Sequence, residues 1–329
     1  MNGWIILDKP SGMTSRAAGG RVMRMFGAET FGHIGTLDPM ASGLLPIALG
    51  NATKMIPFFE SEERRAQSEG SAASRQSAGR KSQVEDVDNN EPSTLCALRS
   101  STSKEYLFSV QFGFETDTLD ITGTVVKETN VVPLPAQVMA ACAALTGTIY
   151  QTPPAYSAVH VGGRRGYELA RAGKEFEIPP RPVTIDALEL LDAGRKSWQF
   201  RVVCAPGTYV RAIARDIAAM CDTVATVDMI RRLRTSGLDI KDAVGLDFLE
   251  NLFHNGGNFE DYLKPVDFGL GDIPVLNLND ADAGLYKQGG FVEIAAAGEP
   301  GLVRVFSNGR FIGIGTFDGN LLKPKRTLN

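Results

Sequence analysis

The chain has few of the residues that build metal centres or disulfide frameworks: four cysteines and three histidines in 329 residues. Cys96, Cys142, Cys204 and Cys221 lie far apart with no two-residue spacing, and His33, His160 and His254 do not cluster with them. That excludes a zinc ribbon and a disulfide-stapled scaffold. A long hydrophobic run is also missing near the start. Trp4-Ile5-Ile6-Leu7 is followed at once by Asp8-Lys9-Pro10, too short for a signal peptide or a membrane span, so a cytoplasmic protein is expected. Nor is there an excess of positive charge: 34 Lys and Arg against 38 Asp and Glu leave a formal charge of -4. A polyanionic partner would therefore have to be met by local clusters. Three stand out: Arg164-Arg165 with Arg171, Lys174 and Arg181 nearby, Arg231-Arg232 with Arg234, and Lys323-Pro324-Lys325-Arg326. Each taken alone is also what a solvated helix face or tail looks like.

What is present is ordinary globular material, 43% apolar and 22% charged, enough for one large core and a smaller domain. Residues 3–8 alternate as a strand, and Pro10-Ser11-Gly12 turns into a helix capped by Thr14 or Ser15 and stopped by Gly27. Residues 31–46 read as a shaped loop, residues 44–49 as a buried strand, and Asn51 as the cap of a short helix near Pro57. From 61 to 103 the composition shifts to serine-rich and free of aromatics, which predicts a flexible low-complexity insertion. Strand alternation resumes over 104–112. Helices are expected at 136–145, 164–172, 209–220 and 225–233, and strands at 183–191 and 199–204. Residues from 275 onward read as short strands with glycine turns. The whole predicts an α+β body on a mixed sheet with a small β-rich domain appended.

One acid stands out. Asp38 sits in Gly35-Thr36-Leu37-Asp38-Pro39-Met40-Ala41-Ser42-Gly43, an apolar-framed loop in which Pro39 fixes the backbone and two glycines permit tight turns. An Asp before Pro ordinarily caps a turn. Here the surrounding run, His33-Ile34 through Leu44-Leu45, resembles the catalytic motif of the TruB pseudouridine synthase family. Four more segments resemble that family in its order: Lys9-Pro10-Ser11-Gly12-Met13-Thr14-Ser15; Lys104-Glu105-Tyr106; Gln151-Thr152-Pro153-Pro154-Ala155-Tyr156-Ser157-Ala158 with Gly163-Arg164-Arg165-Gly166-Tyr167; and Gly207-Thr208-Tyr209-Val210-Arg211. Together they cover nearly all of residues 1–240 outside the insertion; the tail resembles a PUA-like RNA-binding domain more loosely.

The resemblance implies a pseudouridine synthase catalytic domain over 1–265, with an RNA-binding thumb at 151–175, and a PUA-like domain over 266–329. It implies isomerisation of uridine 55 in the T arm of tRNA, with the target base flipped out of the stack at a cost of about a few kcal/mol. Asp38 would be the nucleophile; attack on the base and attack on the sugar carbon both remain open. Arg211 would hold its carboxylate ionised, and Tyr106 would stack on the uracil. His33 would fill the place of the flipped base and Leu233 would line the pocket. Lys9, Tyr209, Arg164, Arg165, Arg231 and Arg232 complete the expected substrate and RNA contacts. No metal, cofactor or obligatory protein partner is implied, and a monomer is expected. Two departures stand out: His160 replaces the family's usual Lys, and Val224-Ala225-Thr226 replaces its usual Gly-Ala-His. A glycosidase using Asp38 would need a second acid, and none stands beside it in the sequence.

Overall fold

The structure is a computed structural model that describes residues 1–59, 103–295 and 298–328. The serine-rich segment expected at 61–103 lies outside the described residues, apart from Ser103.

The first turn of chain behaves as its residues dictate. Gly3–Lys9 forms a strand, and Thr14 caps the helix Ser15–Met25 by accepting the Ala17 amide at Oγ1. Gly27, at φ +55°, lies just beyond that helix. The segment read as a loop is partly extended: Phe31–His33 pairs antiparallel with the far end of the strand Ser42–Leu49. Only residues 34–41, which carry Asp38, are irregular. They are pinned at one end by Gly43, whose φ is +100° and where a Cβ would lie 2.3 Å from the Arg232 carbonyl oxygen. No other residue fits that approach.

A mixed sheet of ten strands organises the body. Its main path runs Val244–Gly245, Gly3–Lys9, Ser42–Leu49, Ala225–Thr235, Lys104–Phe112, Trp198–Cys204, Arg181–Ala193 and Gly147–Gln151. Two of these pairings are parallel, Gly3–Lys9 with Val244–Gly245 and Ser42–Leu49 with Ala225–Thr235. The helices Ser15–Met25, Pro135–Ala144, Val210–Met220 and Leu246–His254 bury apolar residues in one large core with the sheet.

The helix expected at 225–233 is instead the central strand Ala225–Thr235. It lies between two neighbours and is buried on both faces, so its side chains do not alternate cleanly. Bulges between Val227 and Met229 and between Arg232 and Arg234 break the alternation further. The helix expected at 164–172 begins later, at Gly166, because Arg164–Arg165 pairs with His160–Val161 in a small hairpin.

A second sheet of five strands comprises Val275–Leu278, Val292–Glu293, Gly301–Ser307, Arg310–Phe317 and Leu321–Thr327. Besides the expected strands it carries a helix, Asp280–Lys287, capped by the Asn279 side chain on the Asp282 amide. The two sheets share a core: Trp4, Ile6, Leu44 and Ala48 cluster with Leu270, Ile273, Leu302, Ile314 and Leu328. Among the described residues no helix is long and apolar enough to cross a membrane.

Candidate active site

Segments far apart in the chain converge on Asp38. Its carboxylate is reached by Arg211 Nη2 at 2.8 Å, from the first turn of the helix Val210–Met220. Arg211 is only 3% exposed, and its guanidinium is tied in several directions. Nη1 donates to the Thr118 carbonyl at 2.7 Å, Nη2 donates to the Tyr156 carbonyl at 3.0 Å, and Asp120 Oδ2 lies 3.7 Å from Nη1. One cation thus joins the Asp38 loop, the 117–120 turn and the start of the expected thumb.

Asp120 is the acid that sequence reasoning missed. Asp117-Thr118-Leu119-Asp120 has only the composition of a turn, and nothing local marks its long-range partner. The structure corrects the expectation that Asp38 has no acidic neighbour. The turn docks on the central strand through Ile121 N to Val227 O and Val227 N to Leu119 O. Leu119, at φ +62°, lies between the carbonyl and the carboxylate that face Arg211. A non-glycine residue held in the left-handed region marks a backbone whose shape is fixed by its surroundings.

Electrostatics follow from this packing. The Asp38 side chain is 39% exposed. Burial nevertheless pushes its carboxyl above the ordinary carboxylate value; Arg211 and Lys9 pull it back, and Asp120 pushes it up further. A group of this kind is protonated to a higher pH than a free Asp, so activity that needs the carboxylate falls as pH falls through the raised value. Asp120→Asn removes one of the upward pushes. It should move the acid limb of kcat/KM to lower pH, measured across pH 4 to about 8; an acid limb that stays fixed or moves up would contradict the coupling.

Lys9 is corrected from an RNA contact to a buried tie. It is fully buried, and its ammonium donates to the carbonyls of Pro10 and Met13 at 2.8 and 2.7 Å, with Pro39 at 3.5 Å. Burial lowers its pKa to about 8, against the pull of Asp38. The ammonium therefore links the turn after the first strand to the residue following Asp38. Ser15 and Ser11 add to this, bonding the Leu37 and Met40 carbonyls.

Tyr106, 8% exposed on the strand Lys104–Phe112, has Arg232 as its partner on the neighbouring strand. Burial holds its phenol up at about 12. It stays protonated at neutral pH, where it can donate a hydrogen bond.

Arg232 is not placed for the expected RNA contact, whereas the Arg231 side chain keeps a solvent-exposed part. Arg231 makes a two-pronged pair with Asp8, at 3.0 and 2.7 Å, and Arg232 is 1% exposed. A guanidinium closed off from solvent does not reach a phosphate. Leu233 follows, half-buried on the same strand.

His33 is half-buried with Nε2 3.1 Å from Thr36 Oγ1, and burial followed by the charge of Arg232 lowers its pKa. Arg164 and Arg165 are exposed on their hairpin. Tyr209 exchanges bonds with Gln151, and its ring lies under Arg181 at 5.2 Å. Among the described residues no group of three or more His, Cys, Asp and Glu could hold a metal ion.

Comparison with known proteins places the chain in a family. The profile of the TruB family pseudouridylate synthase N-terminal domain matches residues 23–93 and 90–210, and that of the pseudouridine synthase II TruB C-terminal domain matches residues 274–328. Proteins named tRNA pseudouridine synthase B are similar over most of the chain. The one from Gluconacetobacter diazotrophicus is 36% identical, covering 100% of this chain and 97% of its own length. The one from Aromatoleum aromaticum is 38% identical, covering 100% and 93%. Among solved structures, an H/ACA RNP bound to a substrate RNA containing 2'-deoxyuridine has a TM-score of 0.61 at 17% identity, over 99% of this chain and 85% of that one. A Cbf5-Nop10-Gar1 complex has a TM-score of 0.61 at 18% identity, over 99% and 84%. At that identity the likeness is one of fold.

Proposed function

The chain belongs to the TruB family of pseudouridylate synthases, and on that premise we propose that it converts one uridine of tRNA, uridine 55 in the T arm, to pseudouridine with Asp38 as nucleophile. The observation that carries this reading is the ion pair of Asp38 with Arg211, 2.8 Å long, in which the Asp38 side chain keeps a solvent-exposed part. The reaction is an isomerisation. The bond from ribose C1' to uracil N1 breaks, a bond from C1' to C5 forms, C5 loses its proton and N1 gains one. A carboxylate nucleophile suffices for the covalent part, and it must be ionised. Arg211 stabilises that anion while fixing its direction.

Tyr106 presents its ring to the extruded uracil, offsetting part of the unstacking cost, and its protonated hydroxyl is a donor to the base. With its pKa raised to about 12 the phenol keeps its proton at neutral pH and serves as a hydrogen-bond donor to the base. His33 occupies the space left by the base. Arg164 and Arg165, on the thumb over 151–175, meet phosphates of the arm. In this reading residues 1–265 form the catalytic domain and 266–329 the PUA-like RNA-binding domain, and the protein acts as a cytoplasmic monomer without a partner protein.

The test is to incubate purified protein with an unmodified tRNA transcript in the presence of a chelator and no added cofactor, mapping pseudouridine chemically. One new pseudouridine in the T loop is expected. Tight RNA binding without product would replace the enzymatic reading with that of an RNA-folding chaperone.

A further inference from the structure

Among the described residues Arg232 is the largest ionisable side chain that is fully buried, and the reaction outlined above gives it no part. Its position is specific. On the central strand it is the register partner of Tyr106 on one side and of Gly43 on the other, so it stands between the strand that carries the tyrosine and the strand that ends the Asp38 loop. Nε donates to the Leu44 carbonyl at 2.8 Å and Nη2 to the Ile34 carbonyl at 3.4 Å. Gly35, at φ +63°, leaves room for Nη1, which would lie 2.8 Å from a Cβ there. The loop therefore seats the guanidinium on the strand position directly across from Tyr106.

A phenol oxygen beside a fixed cation turns its lone pairs toward that charge and its own O–H away from it. An Arg is suited to this, since its planar fork can satisfy two carbonyls and still present a donor in a set direction, which a Lys ammonium does less well. From this geometry we propose that Arg232 is a positioning residue that acts through Tyr106: it orients the phenol so that the hydroxyl proton points at the extruded uracil. The inference rests on the proposed pseudouridine chemistry and adds the orientation of its tyrosine.

The experiment is a double-mutant cycle on single-turnover rates, with a T-arm RNA stem-loop as substrate and enzyme in excess. Arg232→Met is expected to lower the rate by roughly 10²-fold while the stem-loop Kd stays within about threefold. In a Tyr106→Phe background the same change is expected to cost less than about threefold more, because the hydroxyl it acts through is already gone. Arg232→Lys should recover part of the rate where the tyrosine is intact and none in the Tyr106→Phe background, and it carries the cycle if Arg232→Met does not fold. Fully additive losses would overturn the proposal in favour of a structural role. A loss confined to Kd would overturn it in favour of an RNA contact. Absence of product from the unaltered protein would instead strike the reading of the reaction itself.

Discussion

Asp38→Asn is expected to reduce the single-turnover rate of pseudouridine formation by roughly 10⁴-fold or more, as removal of a covalent nucleophile does elsewhere. RNA binding should remain within a few-fold. Asn has the shape of Asp, and Arg211 keeps the Thr118 and Tyr156 carbonyls and the Asp120 carboxylate as partners, so the site need not collapse. The folded state should not suffer either. A carboxyl whose pKa is raised on folding is ionised at neutral pH at the expense of stability, and that penalty is relieved only as pH falls through the raised value. A neutral side chain at position 38 should therefore leave the thermal midpoint at pH 7 unchanged or higher. Product at more than about one per cent of the normal rate would remove Asp38 from the nucleophile role.

The substitution Arg211→Ala should damage both rate and fold. It leaves Asp38 and Asp120 close together without their shared cation and strips two carbonyls of their donor. Breaking a buried pair from one side costs about 3–5 kcal/mol, and loss of the cation that orients the nucleophile should lower kcat by roughly 10³-fold. Urea denaturation at two pH values separates the causes. If repulsion between the two carboxylates dominates, the deficit is large at pH 7 and shrinks as pH falls, because protonation relieves it. A deficit independent of pH would assign the loss to packing and the orphaned carbonyls alone.

Much of this site was legible because its chemistry lies in short contiguous runs. The Asp38 loop, the Lys104-Glu105-Tyr106 strand start and the Gly207 to Arg211 turn each carry their role within a few residues. What escaped the sequence depends on distance through space. Asp120 gains its meaning from Arg211, which is 3.7 Å away in the fold. Lys9 reads as a substrate or RNA contact until the carbonyls of Pro10, Met13 and Pro39 close around it. The strand Ala225–Thr235 imitates a helix because its two bulges scramble the period that would have marked it. Its arginines then look like a basic helix face, when one is paired with Asp8 and the other is sealed beneath the tyrosine. The helix Asp280–Lys287 did leave a signal in its Asn279 cap and first-turn acids, which the surrounding glycine turns obscured.

The core shared by the two sheets bears on how the chain comes to be folded. Trp4 and Ile6 belong to the same cluster as Leu302, Ile314 and Leu328, so residues translated earlier complete their packing only when residues far later in the chain arrive. The Trp4 indole also donates to the Val266 carbonyl at 2.9 Å, and its backbone bridges to Lys264. Contacts of such long sequence separation form slowly, since the intervening chain must be closed before they gain anything. During translation the apolar face that the first strand turns to this cluster therefore waits for its cover, and the strand Ser42–Leu49, which follows the Asp38 loop, acquires its full support only when the second sheet is in place.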